Sequence, residues 1–257
     1  MSAGPRTLVV MPTYEERDAL PTTLRALRAA VPAVDVLVVD DASPDGTGDL
    51  ADALAAADDA VHVLHRRGKL GLGTAYVAGF GWAMGRGYDV VVEMDADGSH
   101  RAVDLPALLD ALARADLVLG SRWVPGGSVV NWPRHRRWLS RTGNAYTRVV
   151  LGLPLRDSTG GFRAYRTEVL ERIHLEDVSS QGYCFQVDMA RRAVEAGHRV
   201  VEVPITFVER VEGRSKMSRA IVVEALVRVT QWAARRRMQQ AAGAVRRLLG
   251  GRAGRQD

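Results

Sequence analysis

Cysteine is nearly absent from this chain: Cys184 is the only one in 257 residues, so no disulfide can close within it and a cysteine-built metal site is excluded, which fits a reducing compartment. Lysine is almost as scarce, with Lys69 and Lys216 alone among 35 basic residues, so the basic charge is almost all arginine. Long apolar runs are missing too. The longest candidate, Ile221 to Ala234, is broken by Glu224 and Arg228 and falls short of the ~20 apolar residues a spanning helix needs. The apolar stretch Thr7–Met11 is far too short for a secretory h-region, so a soluble or peripheral protein is expected. Gly71-x-Gly73 lacks the third glycine of a dinucleotide-binding turn, and no histidine has ligand spacing. There is no internal repeat.

Near-continuous Val/Leu runs at Thr7–Met11, Val36–Val39, Val61–His65, Asp89–Met94, Leu117–Gly120 and Arg199–Ile205 have the pattern of strands buried on both faces. Helical periodicity fills the intervals, over Asp18–Ala30, Thr47–Ala57, Leu72–Gly85, Leu105–Ala113, Arg166–Ile173 and Gln181–Glu195. The first half therefore reads β-α-β-α-β-α-β. This is the pattern of an α/β fold with a doubly wound, mostly parallel sheet and helices on both faces, whose ligands bind outside the carboxyl ends of the strands.

The loops at those ends are polar. Val90-Val91-Val92-Glu93-Met94-Asp95-Ala96-Asp97 is an apolar run that delivers Asp95 and Asp97 to its own C-terminal end, with the small Ala96 between them. Past the last paired residue the chain can curl, so the two carboxylates can converge on one hard divalent cation such as Mg²⁺ or Mn²⁺. Such ions commonly take one or two carboxylates and complete their shell with substrate phosphates, which points to a diphosphate-bearing substrate. Pro12-Thr13-Tyr14-Glu15-Glu16 and Asp40-Asp41-Ala42-Ser43-Pro44-Asp45-Gly46-Thr47 would face the same crevice. Their carboxylates can accept from base N–H groups and ribose hydroxyls, and Tyr14 offers a ring face for a base. A sugar-nucleotide pyrophosphorylase would want a glycine-rich basic loop after the first strand, and this chain lacks one.

With these loops the chain resembles the inverting family-2 glycosyltransferases of GT-A fold. Further motifs narrow the resemblance to the polyprenol-phosphate (dolichol-phosphate) mannose synthase group: Leu70-Gly71-Leu72-Gly73-Thr74-Ala75-Tyr76, Asp95–His100, Gly120-Ser121-Arg122-Trp123, Asn131-Trp132-Pro133, Ser158-Thr159-Gly160-Gly161-Phe162-Arg163, Gln181–Gln186 and Gly213-Arg214-Ser215-Lys216-Met217. They run in order across residues 7–220. The resemblance implies transfer of mannose from GDP-mannose to a polyprenyl monophosphate, with a UDP-glucose-dependent polyprenyl-phosphate glucose synthase as the alternative. It implies Pro12, Tyr14, Glu16, Val39 and Asp41 at the nucleotide, and Asp95, Ala96 and Asp97 at the metal and diphosphate. Ser99 stands where some relatives have a glutamine metal ligand. Arg122, Arg136 and Ser140 correspond to groups that meet the lipid phosphate, and Arg210 and Lys216 to the basic pair that closes over the donor phosphates. A bidentate arginine suits a phosphate independently of the resemblance.

Between Trp132 and Leu153, aromatic and aliphatic residues alternate with Arg134, Arg136, Arg137, Arg141 and Arg148, which is the make-up of a helix lying in a lipid headgroup layer. Val222, Leu226, Val229 and Ala233 form a second stripe, expected as a peripheral helix or a dock for a membrane-embedded partner subunit. Residues 210–257 hold twelve Lys/Arg against three Asp/Glu, a charge of +9 that leaves −4 for the rest. A catalytic domain over 1–220 and a basic C-terminal helix and tail over 221–257 are expected, peripheral to the cytoplasmic membrane face. The acidic loops argue against nucleic acid as a partner. His100 would cap the helix that follows it, and His62 and His65 would pack near a strand end.

Overall fold

The computed structural model describes residues 4–175, 178, 183–209, 226–234 and 238. Strands β1 (Thr7–Thr13), β2 (Asp35–Asp40), β3 (Val61–His65), β4 (Val90–Glu93), β5 (Leu117–Ser121), β7 (Arg163–Arg166) and β8 (Val200–Pro204) form one sheet in the order β3-β2-β1-β4-β7-β5-β8. All neighbours run parallel except β7, which lies antiparallel between β4 and β5. The alternation of β1 shows why its sequence is apolar throughout. Leu8 and Val10 enter one core with Tyr76, Phe80 and Phe185, while Val9 and Met11 enter the other with Leu20, Leu24 and Leu105. Helices α1 (Leu20–Ala30), α2 (Thr47–Ala57) and α4 (Leu105–Ala111) supply the second core; α3 (Leu72–Met84), α6 (Thr167–Arg172) and α7 (Tyr183–Glu195) supply the first. The expected doubly wound GT-A arrangement is the one observed.

α3 lies close on the sheet because residue 79 has no side chain: a Cβ there would sit 2.4 Å from Val10 Cγ1. Three strands escaped the periodicity. β7 reads as Arg-Ala-Tyr-Arg, a poor apolar pattern, yet Arg163 is wholly buried because its guanidinium donates to the carbonyls of Gly160, Gln186 and Ser158 at 2.8, 2.7 and 2.8 Å. The helix expected from Arg166 therefore starts at Thr167. β6 (Ser128–Val130) and β9 (Thr206–Val208) form a small parallel pair beside the main sheet.

The arginine-rich segment forms α5 (Arg134–Leu151). No helix among the described residues is long and apolar enough to cross a membrane. In the helical stretch 226–234, Val229 and Ala233 are buried in the first core, and the Tyr146 and Thr230 hydroxyls meet at 2.7 Å. That part of the second apolar stripe thus packs on the chain's own body, while Leu226 and Val227 stay exposed; Val222 lies outside the described residues.

Candidate active site

Asp40 ends β2 with its side chain buried, accepting from Thr13 Oγ1 (3.0 Å), Ser43 N (3.0 Å) and Ser43 Oγ (2.6 Å). It thereby ties the loop after β1 to the loop after β2. Its neighbour Asp41 accepts from Arg66 Nη1 (2.5 Å) and from the backbone N–H groups of Leu70 and Gly71 (3.1 and 3.3 Å), so the 66–71 loop is wrapped onto the same wall. Lys69 is carried by that loop to a point 3.7 Å from the Tyr14 ring centroid. The result is a cleft of about 230 Å³ lined by Pro12, Tyr14, Glu16, Asp41 and Lys69 together with Asp95, Ala96 and Asp97.

Asp95 leaves β4 on the same side as Glu93, and both are held from the first core. The Tyr76 hydroxyl donates to Asp95 Oδ1 at 3.1 Å, from a fully buried ring stacked parallel to Phe185 at 6.0 Å. Burial, and then the charges of Asp95 and Glu93, hold the Tyr76 phenol well above its usual pKa, so it remains a donor. Glu93 accepts from Tyr165 Oη (2.8 Å) and Gln186 Nε2 (2.6 Å). Burial pushes its carboxyl up to about 7, against the pull of Arg163 and of these hydrogen bonds. Asp97 Oδ1 accepts from Ser99 N at 3.0 Å across a turn in which Gly98 has φ +75°, a conformation costly for a residue with a Cβ.

His100 does not cap the next helix. Its Nδ1 accepts from Asp95 N (3.1 Å), and its ring stacks on Phe162 at 5.1 Å. His65 pairs instead with Asp52 on the surface, and His62 packs against Trp82.

Asp95 and Asp97 are partly exposed oxygen donors facing one cleft, and among the described residues no cluster of three or more His, Cys, Asp or Glu side chains could hold a metal. Two carboxylates fit a hard divalent ion whose other positions come from a diphosphate and water.

A second polar centre lies beyond His100. His100 meets Phe207 edge-on at 5.5 Å, Phe207 meets Trp132 at 5.4 Å, and the Trp132 ring has the guanidinium carbons of Arg136 and Arg122 at 4.2 and 5.3 Å from its centroid. Arg122 is only 5% exposed. Its Nε and Nη2 donate to Asp157 at 2.7 and 2.6 Å, its backbone N–H donates to the same carboxylate at 2.9 Å, and Nη2 also reaches Thr159. Burial alone would raise the Asp157 pKa, but the Arg122 charge and these bonds outweigh it and hold the carboxyl below its usual range. Along α5, Arg136, Ser140 and Asn144 succeed one another at helical i,i+4 spacing; Asn144 Nδ2 donates to Ser140 O (3.0 Å), Thr159 Oγ1 (3.0 Å) and Asp157 (3.3 Å). Arg136 pairs with Glu209 just past β9.

Of the residues read from the sequence, Pro12, Tyr14, Glu16, Asp41, Asp95, Ala96 and Asp97 share one cleft, Arg122 and Arg136 meet over Trp132 at the second centre, and Ser140 stands one helical turn past Arg136, tied to that centre through its backbone carbonyl and Asn144. The Val39 side chain does not line the cleft: it is fully buried in the first core. Arg210 and Lys216 lie outside the described residues. Sequence reasoning gave no role to Lys69, Tyr76, Glu93 or Glu209, and did not pair Asp157 with Arg122. Lys69 carried one signal, its rarity; the others act through partners distant in the chain.

Comparison with known proteins gives the family. Residues 8–174 match the family model described as glycosyl transferase family 2. The chain is 61% identical over 227 residues to an undecaprenyl-phosphate mannosyltransferase of Micrococcus luteus, covering 88% of this chain and 93% of that protein. It is 57% identical over 243 residues to a polyprenol monophosphomannose synthase of Mycolicibacterium smegmatis, covering 94% and 92%. Among solved structures, a Pyrobaculum calidifontis mannosyltransferase in complex with GDP-Man and Mn²⁺ superposes with a TM-score of 0.56 at 19% identity over 98% of this chain and 81% of that one. A Mycobacterium tuberculosis glucosyl-3-phosphoglycerate synthase in complex with Mn²⁺, UDP and phosphoglyceric acid gives 0.63 at 20% identity over 88% and 79%. At such identities the structural likeness concerns the fold alone, but the family match and the two close relatives settle the classification: this chain belongs to glycosyltransferase family 2.

Proposed function

We propose that this glycosyltransferase moves mannose from GDP-mannose to a polyprenyl monophosphate, with inversion, giving a lipid-linked mannose donor. The observation that carries the reading is the linkage of two unlike sites. An acidic cleft suited to a nucleotide and a cation touches, through His100, Phe207 and Trp132, an arginine pair suited to a phosphate. The names of the two close relatives support the same acceptor class and sugar.

In this reading Tyr14, Glu16 and Asp41 receive the nucleoside, Lys69 brings positive charge to that end, and Asp95 and Asp97 hold Mg²⁺ or Mn²⁺ beside the diphosphate. The ion, when bound, offsets negative charge that develops on the leaving nucleoside diphosphate. Arg210 and Lys216 are assigned to the donor phosphates. Arg136 and Ser140, with the Arg122 charge behind them, steer the acceptor phosphate in line with the departing group. A phosphate monoester has a second pKa near ~6 and arrives mostly ionised at neutral pH, so the attacking oxygen needs no protein base. Single displacement then inverts the anomeric centre.

The reading puts the protein at the cytoplasmic membrane face, and α5 supports the contact with a membrane surface. Trp138 and Val149, 68% and 74% exposed, are eleven positions apart and so share a helix face, flanked by Arg141 and Arg148. A membrane-embedded partner is compatible with this face. The test is to incubate pure protein with labelled GDP-mannose or UDP-glucose, a polyprenyl phosphate and Mn²⁺, and to follow label into the organic phase. Mannose should move, glucose should not, and the matching neutral polyprenol should accept neither; transfer of glucose alone would overturn the donor assignment.

A further inference from the structure

α5 begins in an electrostatically awkward way. Its first turn carries Arg134, His135, Arg136 and Arg137, it has no acidic residue there, and Pro133 at its N-cap offers no side-chain acceptor. The positive end of the helix dipole therefore adds to a cluster of like charge. Two carboxylates from elsewhere compensate the guanidiniums gathered around Trp132, and they differ in kind. Asp157 is wholly buried under Arg122, with its oxygens engaged by five donor groups, and has nowhere to go. Glu209 reaches Arg136 from the residue after β9, fixed through its backbone N–H to Val130 O at 3.1 Å, while its side chain is 23% exposed and that of Arg136 17%. Among the described residues the buried Arg136 Nε has no hydrogen-bond partner, so within them the pair with Glu209 leaves part of this guanidinium unsatisfied.

We propose that Glu209 is an internal stand-in for the acceptor phosphate: its carboxylate occupies Arg136 in the unliganded protein and is displaced when the phosphate monoester arrives. This rests on the reading above that the acceptor is a polyprenyl monophosphate. A dianion with three acceptor oxygens can engage Arg136 more fully than one carboxylate does, and displacement moves only a side chain at a strand end. Without an anion, the pair keeps the cluster neutralised and the first turn of α5 ordered. The exchange also tunes selectivity, since an incoming head group must outcompete a carboxylate: a neutral alcohol cannot, and a monoanion does so poorly.

The apparent affinity of a site open only a fraction of the time falls by that fraction, so opening it permanently should tighten binding about three- to tenfold. The experiment measures binding of a short-chain, water-soluble prenyl monophosphate by calorimetry to wild type, Glu209→Gln, Arg136→Met and the double variant, with inorganic phosphate and the prenyl alcohol as parallel ligands. Glu209→Ala, read in the same way, guards against a new hydrogen bond from glutamine. We expect tightening of the prenyl phosphate in Glu209→Gln and Glu209→Ala, little change when Glu209→Gln is added to Arg136→Met, and no alcohol binding in any protein. Inorganic phosphate should follow the same order more weakly, showing that the shared group is the phosphate and that the chain adds affinity. Equal tightening in both backgrounds would mean only a distant charge effect, and weaker binding in Glu209→Gln would make Glu209 a positioning group for Arg136; either overturns the stand-in. Failure of wild type and variants alike to bind prenyl phosphate would instead remove the acceptor assignment itself.

Discussion

Replacing Asp157 by leucine tests whether the buried ion pair is a positioning device or a source of stability. The carboxylate is completely buried and accepts from the Arg122 backbone N–H, Nε and Nη2 and from Asn144, at 2.9, 2.7, 2.6 and 3.3 Å. Its loss strands a guanidinium in a residue only 5% exposed, and breaking such a pair from one side costs about 3–5 kcal/mol. Replacing both partners, Arg122→Met with Asp157→Leu, should recover most of that, because an apolar pair of similar volume carries no desolvation cost. Asn144 keeps Ser140 O and Thr159 as partners in either variant. Urea unfolding followed by tryptophan fluorescence suits the question, since Trp123 and Trp132 lie 5.8 and 5.3 Å from the Arg122 guanidinium. The pH dependence has a definite sign. The folded carboxyl lies below its usual value of about 3.9, so its contribution is present above that pH and is lost as pH falls through the folded pKa. Wild type should therefore lose more stability below about pH 4 than the double variant does. The double variant should nevertheless fail in transfer, because the Arg122 charge beside Trp132 is gone. If Asp157→Leu unfolds within ~1 kcal/mol of wild type, or the second substitution recovers nothing, the account of this pair is wrong.

Tyr76→Phe keeps the stacked ring and removes the hydroxyl on Asp95, so Mn²⁺ affinity in the presence of a nucleoside diphosphate, read by electron paramagnetic resonance, should fall roughly 10–100-fold with little change in unfolding; unchanged affinity would detach Tyr76 from the metal centre. Asp97→Ala should lower transfer by about 10²–10⁴ while leaving the circular dichroism spectrum intact, and turnover near the wild-type rate would sink its assignment. Trp138→Asp with Val149→Asp should weaken sedimentation with anionic vesicles while sparing turnover on a detergent-solubilised short-chain acceptor; equal loss of both would return α5 to the chemistry. The acidic limb of the pH–rate profile should move with the pKa of the acceptor phosphate when that is lowered by fluorination near the ester oxygen, and a limb that stays put, with donor binding pH-independent, would place the titrating proton on the protein.

The order of strands and helices was legible in the sequence because a strand covered on both faces must be apolar at every position, and β1, β2, β4 and β5 are nearly so. The acidic pair was legible for a related reason: carboxylates directly after such a run stand at the carboxyl end of the sheet, where ligands bind. Periodicity reports that a face is buried but not what it is buried against. Hence the sequence could neither find β7, whose buried arginine is satisfied by the carbonyls of Ser158, Gly160 and the remote Gln186, nor tell that Val229 and Ala233 meet the chain's own core. It also could not match Arg122 to Asp157, Arg136 to Glu209, or Tyr76 to Asp95, pairs separated by 35, 73 and 19 positions. Those partnerships exist because packing α3 on β4, inserting antiparallel β7 between β4 and β5, and laying β9 beside β6 bring together segments that no local pattern connects. Residue chemistry declared which groups could bind a cation or a phosphate; the tertiary structure decided which carboxylate each cation is locked to and which it can exchange, because that depends on burial and donor geometry at the contact.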